Sequence, residues 1–290
     1  MMHSAKPFFI LSNPRSGSSL LRVICESNQN ISVPPECGYI EWWFEKYKDW
    51  NKEDNYSKRL ERFCIDLGSS RKFETWNFDI LYFKKIVHKY NPEDYADLAA
   101  LIHITYGLLK EKEVMAWGDK NNYYIHKTSL LQQLYPHAKY IFLIRDGRDV
   151  ATSYISLKNI QSNSPYFPKL SNDIKEIAEE WNNNNSKVFH FLNAVAKDQV
   201  LILRYEDIIC SLEKSCRSIC EFLNVSFDPG MLKYYYNHLE PKQTLDWKRK
   251  TLRSPDKLAI GKYKLMLTEK EIEIFNSVAG SILSQFDYDV

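Results

Sequence analysis

Two stretches of the chain carry residues that could hold anions, and each sits where an apolar run gives way to a helical pattern. The first is Phe8-Phe9-Ile10-Leu11, followed by Ser12-Asn13-Pro14-Arg15-Ser16-Gly17-Ser18-Ser19 and then Leu20-Leu21. The second is Tyr140-Ile141-Phe142-Leu143-Ile144, followed by Arg145-Asp146-Gly147-Arg148-Asp149 and a helix bearing Val150, Ala151 and Ser153. Backbone N–H groups at a helix start lack intrahelical partners and lie at the positive end of the helix dipole, so they attract a phosphate-type anion. Gly17 lets the backbone approach such an anion, and Ser16, Ser18 and Ser19 add hydroxyl donors. Arg145 and Ser153 are placed to close on a second phosphate from two sides, arginine being suited to bidentate recognition. The bland alternatives are an ordinary Ser/Gly turn and charge pairing on a solvated surface. For Arg148 and Asp149 the surface pairing is preferred.

The first loop is not a nucleoside-triphosphate loop of the G-x-x-x-x-G-K-[ST] type. Aligning Gly17 with the second glycine puts Ser12 at the first glycine and Ser18 at the lysine. The lysine that would reach the β- and γ-phosphates is missing, and the cation is Arg15, two residues before the glycine. One or two anionic groups suit such a loop better than a triphosphate with Mg²⁺.

These stretches need a scaffold, and the pattern of the chain supplies one. The runs at 8–11, 140–144 and 200–203 are continuously apolar, as in strands buried on both faces of a parallel sheet. Weaker strand signals lie at Ile31-Ser32-Val33 and Val114-Met115-Ala116-Trp117. Helical spacing separates them: Leu20, Leu21 and Ile24; Leu130, Leu131, Leu134 and Tyr135; and Ile174, Ile177, Ala178 and Trp181. A helix over 172–196 is expected, weakened at its centre by Asn182 to Asn185, since asparagine is a poor helix former. A final helix begins at Thr268 with Glu271 completing a capping box. The fold class is therefore α/β, three-layered and P-loop-like, with a central parallel sheet flanked by helices and ligands at the strands' C-terminal ends.

Residues 39–112 read as a mostly helical, aromatic-rich insertion over the sheet. Trp42, Trp43, Phe44, Tyr47 and Trp50 either line an acceptor pocket or form the insertion's core. With 290 residues and no repeat or linker, one domain over 1–290 is expected. A formal net charge of +2 gives no reason to expect nucleic acid as a partner. The six cysteines include no Cys-x-x-Cys pair, which suits a reducing compartment. With no signal-like start and no apolar run of membrane length, a cytoplasmic protein without a transmembrane segment is expected.

At this point the chain resembles the sulfotransferases that use 3′-phosphoadenosine 5′-phosphosulfate (PAPS), their bacterial and tyrosylprotein branches in particular. The loop 14–21 looks like their 5′-phosphosulfate loop, and Arg145 to Ser153 like their 3′-phosphate site. Gly118-Asp119-Lys120, Leu203-Arg204-Tyr205-Glu206-Asp207 and Ala259-Ile260-Gly261-Lys262-Tyr263 extend the resemblance, with tyrosine standing in the last where tryptophan is usual. About residues 45–110 lie outside it. The resemblance implies PAPS as donor, 3′-phosphoadenosine 5′-phosphate (PAP) as product, and no metal for transfer.

It also implies roles. Arg15 would contact the 5′-phosphate and the sulfuryl group, in a cradle of Ser16, Gly17, Ser18 and Ser19. Arg145 and Ser153 would bind the 3′-phosphate, Tyr205 the adenine, and Lys257, with Arg253 as a second candidate, would add a further 3′-phosphate cation. Glu36, after Val33-Pro34-Pro35, takes the place of the catalytic base, with His126 as runner-up, and Lys120 that of the lysine stabilising the leaving oxygen. The acceptor stays open among small alcohols or phenols, carbohydrates, lipids and peptides, as does oligomeric state. The alternatives are an ATP-dependent P-loop kinase and a nucleotide-binding module without catalysis.

Overall fold

A computed structural model describes residues 5–51 and 55–290. Five parallel strands form one sheet in the order β2-β3-β1-β4-β5, with β1 Lys6–Leu11, β2 Ile31–Ser32, β3 Ala116–Lys120, β4 Lys139–Ile144 and β5 Val200–Arg204. The continuous apolar runs are explained by burial on both faces. Phe9, Leu11, Tyr140 and Phe142 point into one apolar core, while Phe8, Ile10, Ile141 and Leu143 point into a second one on the other face.

The first core also takes Leu60, Phe63, Phe83 and Leu98 from the 39–112 region. The main helices there are α2 Tyr56–Ser69, α3 Ile80–Tyr90 and α4 Tyr95–Leu108. On the opposite face lie α1 Ser18–Glu26 and α8 Leu212–Leu223, whose Leu21, Ile24, Cys216 and Ile219 share the second core. The remaining helices used below are α5 Thr128–Leu134, α6 Gly147–Ile155, α7 Ile174–Asn193 and α9 Glu269–Gln285. Thr268 and Glu271 form the expected capping box of α9.

Helix α7 is unbroken through its four asparagines, because two of them are engaged. Asn185 Nδ2 donates to the Trp181 carbonyl at 2.6 Å, and Asn184 Nδ2 donates to Asn13 Oδ1 at 2.8 Å. The residue that lowers helix propensity thus anchors the first anion loop. Tertiary contact overrides propensity here.

Strand β1 is flanked by β3 on one side and β4 on the other, so the chain winds outward from it in both directions. In open α/β sheets a crevice opens at the strand C-termini of such a switch point. The loop 12–17, Lys120 and Arg145 all leave the sheet at that end.

Candidate active site

The first loop turns sharply twice. Arg15 has φ 65° and Gly17 has φ 102°, both in the left-handed region. At Gly17 glycine is required twice over, since a Cβ would also stand 2.5 Å from the Tyr205 ring. The turn aims Arg15 across to α6, where its Nε donates to Ser153 Oγ at 3.0 Å and its two terminal nitrogens donate to the Trp247 carbonyl at 3.2 Å. Burial, with Arg145 alongside, lowers the Arg15 pKa to about 10, so it stays charged at neutral pH. Ser18 Oγ donates to Asn122 Oδ1 at 3.1 Å.

Arg145 follows β4 and lies with its guanidinium 4.4 Å from the Tyr205 ring centre. One terminal nitrogen donates to the Ala259 carbonyl at 2.7 Å. Its Nε and the Ser16 hydroxyl are buried polar groups with no protein partner. Buried donors left unpaired are costly, so Arg145 Nε on the cavity wall and the Ser16 hydroxyl within the adjoining loop suit an anionic ligand.

Arg148 and Asp149 correct the surface reading. Asp149 is fully buried and accepts the backbone N–H groups of Gly261 at 2.8 Å and Tyr263 at 3.0 Å. Arg148 is paired with Asp146 at 2.8 Å under the Tyr263 ring. Their task is to tie the 259–263 loop to the start of α6, and Gly261, with φ 69°, makes the turn that Asp149 holds.

Glu36 and Lys120 face each other across the crevice, with Lys120 Nζ donating to Glu36 Oε1 at 2.8 Å. Lys72 Nζ donates to the other oxygen, Oε2, also at 2.8 Å. Burial alone would raise the Glu36 pKa. Lys120, Lys72 and Lys248 outweigh it and hold the carboxyl well below the usual carboxylate range. Burial, opposed by the Glu36 charge and aided by Lys248, lowers Lys120.

Helix α1 sets the direction in which Glu36 leaves β2. Arg22 donates to the Val33 carbonyl at 3.0 Å, and Glu26 accepts the Val33 N–H at 2.6 Å. Arg22 is also fixed by Glu240 at 2.8 Å, and Glu240 in turn holds Lys248 at 3.0 Å.

Arg15, Ser18, Glu36, Lys120, Arg145 and Tyr205 line one cavity of about 620 Å³. Arg15, Lys72, Lys120, Arg145, Arg71, Lys169, Lys248 and Lys250 supply eight cations to its described wall, and Glu36 the one carboxylate. A smaller cavity of about 210 Å³ adjoins it through Arg15, Arg145, Ser153 and Lys250, and adds Lys262. Residues 165–170 form the outer wall, with Phe167 edge-on to Trp247 at 5.5 Å.

Arg15, Gly17, Ser18, Ser19, Glu36, Lys120, Arg145, Ser153 and Tyr205 all line the larger cavity, and Ser16 is buried within the loop. Lys257 and Arg253 are exposed and line neither cavity, and the cations that share the smaller cavity with Arg145 and Ser153 are Arg15, Arg249, Lys250 and Lys262. His126 is exposed and outside both. Among the five aromatic residues, Tyr47 and Trp50 are core. Trp43 and Phe44 pack against that core, and only Trp42 reaches a cleft. Sequence reasoning missed Lys72, Asn122, Lys248 and Lys250. The basic run Lys248-Arg249-Lys250 was a signal for the last two. No group of three or more His, Cys, Asp or Glu side chains suited to a metal occurs among the described residues.

The sequence model of the Sulfotransferase family matches residues 7–229. A protein-tyrosine sulfotransferase of Drosophila melanogaster is 22% identical over 227 residues, covering 78% of this chain and 39% of the relative. Protein-tyrosine sulfotransferase A of Caenorhabditis elegans is 24% identical over 229 residues, covering 79% of this chain and 52% of the relative. The chain thus spans about half the length, or less, of these curated relatives. Among solved structures, the sulfotransferase domain of the Synechococcus PCC 7002 olefin synthase has the same fold. Its TM-score is 0.63 at 21% identity, covering 99% of this chain and 96% of that one. The sulfotransferase domain of the curacin biosynthetic pathway aligns with a TM-score of 0.58 at 21% identity, over 99% of each chain. With the family model matching residues 7–229, a span that contains both anion loops and the Glu36–Lys120 pair, this chain belongs to the Sulfotransferase family.

Proposed function

We propose that the chain transfers a sulfuryl group from PAPS to an acceptor hydroxyl or amine by direct in-line displacement, the whole of 1–290 acting as one domain. The observation that carries this reading is the single cavity that joins both strand–helix anion loops to an opposed lysine and carboxylate. Its residues fit a nucleotide anionic at both ends. The unpaired Ser16 hydroxyl and Arg145 Nε supply buried donors, and eight cations offset the charge. The Sulfotransferase family match and the names of the curated relatives support the same reaction.

In this reading Arg15 and the 16–19 loop hold the 5′-phosphate end. Arg145, Ser153, Lys250 and Lys262 hold the 3′-phosphate, and Tyr205 packs on the adenine. Glu36 accepts the acceptor's proton. Lys120 stabilises charge on the oxygen that departs from sulfur, aided by Arg15. A cleft of about 240 Å³ opens on the far side of Glu36, sharing Arg71 and Lys72 with the donor cavity and adding Trp42 and Tyr123. Half-exposed rings of this kind suit a ring-bearing acceptor, a phenol or a sugar. The protein-tyrosine names of the relatives favour testing a peptide tyrosine first.

No helix among the described residues is long and apolar enough to cross a membrane. We place the protein in the cytoplasm, a reading supported by six unpaired cysteines.

Calorimetric titration with PAP and with ATP–Mg²⁺ tests the donor assignment. The expected result is saturable PAP binding that outcompetes ATP–Mg²⁺. Tighter binding of ATP–Mg²⁺ would favour phosphoryl chemistry instead.

A further inference from the structure

Glu36 is gripped from two sides by lysines on different parts of the chain. Lys120, at the end of β3, takes Oε1, and Lys72 takes Oε2, each at 2.8 Å. Two ion pairs on separate oxygens fix the plane of the carboxylate as well as its charge. Lys248 is the third cation acting on it, from the segment Leu245–Lys248, and Arg71 lines the same walls. No other carboxylate lines the cavity among the described residues.

Lys72 reaches this position from outside the sheet, and at a conformational cost. It lies between α2 and the turn Phe73–Trp76 with φ 73°, in a left-handed conformation that few non-glycine residues adopt. Several contacts hold that backbone. The Lys72 carbonyl accepts from Thr75 Oγ1 at 2.6 Å and from Thr75 N at 3.0 Å, and Phe73 N donates to the Ser70 carbonyl at 2.9 Å. Phe73 and Trp76 are buried. Next to it, Arg71 donates to the Pro165 carbonyl at 2.7 Å, and the Tyr166 hydroxyl bonds Glu74. The turn that carries Lys72 is therefore braced both by the core and by the outer wall of the cavity.

The chemistry gives this second lysine a task. During transfer the acceptor O–H gives its proton to Glu36, and the acceptor oxygen forms a bond to sulfur. The bond from sulfur to the bridging oxygen breaks, its electron pair staying on the 5′-phosphate. Before the proton moves, Lys120 must already turn toward that bridging oxygen, which loosens its hold on a Glu36 that is still ionised. A half-buried carboxylate left without a counter-ion would be costly and free to rotate.

We propose that Lys72 is a positioning residue that keeps Glu36 ionised and oriented toward the acceptor cleft, once Lys120 has turned to the bridging oxygen, until Glu36 takes the acceptor's proton. This rests on the reading of Glu36 as the base. Lys72 is suited to the task because it lines both the donor cavity and the acceptor cleft, at the point where the two meet.

The test follows the Glu36 carboxyl itself, by carbon NMR of the full chain labelled at glutamate Cδ, with Glu36→Gln used to assign the signal. Lys72→Met removes the charge. Lys72→Asn removes it with a residue that tolerates the left-handed turn, which guards against misfolding, and Lys72→Arg should restore it. In the wild type the Glu36 signal should stay flat down to the onset of acid unfolding. In Lys72→Met and Lys72→Asn it should titrate at clearly higher pH, and in Lys72→Arg it should return to the wild-type course. PAP affinity by calorimetry should fall by no more than about fivefold, the upper end for one partly exposed ion pair, Lys72 being one of eight cations on the wall. An unmoved Glu36 titration in both charge-free variants overturns the proposal. So does a large loss of PAP affinity without a titration shift, which would make Lys72 a donor-binding cation. Sulfate transfer by Glu36→Gln at the wild-type rate would instead sink the base assignment, an outcome distinct from either.

Discussion

Lys120 Nζ lies 2.8 Å from Glu36 Oε1, so the end of β3 and the segment that follows its neighbour β2 meet in one largely buried ion pair at the mouth of the crevice. Neither residue belongs to an anion loop. Each is delivered there by parallel pairing, Ile31 against Ala116 and Ser32 against Trp117, and by the clamp that Arg22 and Glu26 put on Val33. The proposed base and the proposed electrostatic stabiliser are thereby placed side by side before any substrate arrives, as preorganised stabilisation requires.

Lys120→Ala should therefore separate chemistry from binding. Removing one donor aimed at a departing oxygen lowers turnover by about a hundredfold or more. PAP affinity, measured by calorimetry, should fall far less than turnover. Equal losses in both would remove Lys120 from the chemical step.

Arg145→Ala should read out the second phosphate. Loss of a charge-assisted contact costs about 2 kcal/mol, roughly thirtyfold in affinity. That loss should appear with PAP and with PAPS and be nearly absent with adenosine 5′-phosphosulfate, which lacks the 3′-phosphate. A uniform loss over all three ligands would place Arg145 elsewhere on the nucleotide.

Gly17→Ala tests the turn. Its φ of 102° and the 2.5 Å approach to Tyr205 leave no room for a methyl group. Destabilisation of about 1–3 kcal/mol is expected, seen as a lower Tm, together with weaker PAP binding as Tyr205 shifts. An unchanged Tm would contradict the strain assigned to this loop.

Glu240 gives a pH signature. Burial alone would raise its pKa, but Arg22 and Lys248 bring it from its ordinary value of 4.5 down to about 2. Because the folded value lies below the unfolded one, its contribution is complete above pH 4.5 and is lost as the pH falls through about 2. Glu240→Ala leaves Arg22 uncompensated and should cost about 3–5 kcal/mol at neutral pH. Denaturant titrations at neutral and acidic pH should show the gap between variant and wild type closing on acidification. A gap independent of pH would count against the ion-pair account.

Much of the framework was legible because its causes are local. Residues 8–11 and 140–144 are apolar at every position, which only a strand covered on both faces requires, and they became β1 and β4. Arg15, Gly17, Arg145 and Ser153 sat at strand–helix junctions, where backbone donors are free, and the structure brings them to one cavity. What stayed hidden depends on long-range packing. Asp149 reads as a surface acid until the 259–263 loop, over a hundred residues away, supplies two N–H groups to it. Lys72 carries no signal at all, because its place depends on how the 39–112 region folds back over the sheet. Lys257 was placed by counting back from Gly261. Lys257 lies in the turn Lys257–Ala259 with its side chain exposed, while Lys250 and Lys262 line the smaller cavity.

The most direct test is transfer itself, with purified full-length protein, PAPS carrying radiolabelled sulfate, and a panel of peptide tyrosines, simple phenols, sugars, lipids and aliphatic alcohols. The account predicts label moving from PAPS to at least one acceptor class, with PAP released in equal amount and both events abolished in Glu36→Gln. PAP binding without transfer to any member of the panel, or transfer unaffected by Glu36→Gln, would contradict it.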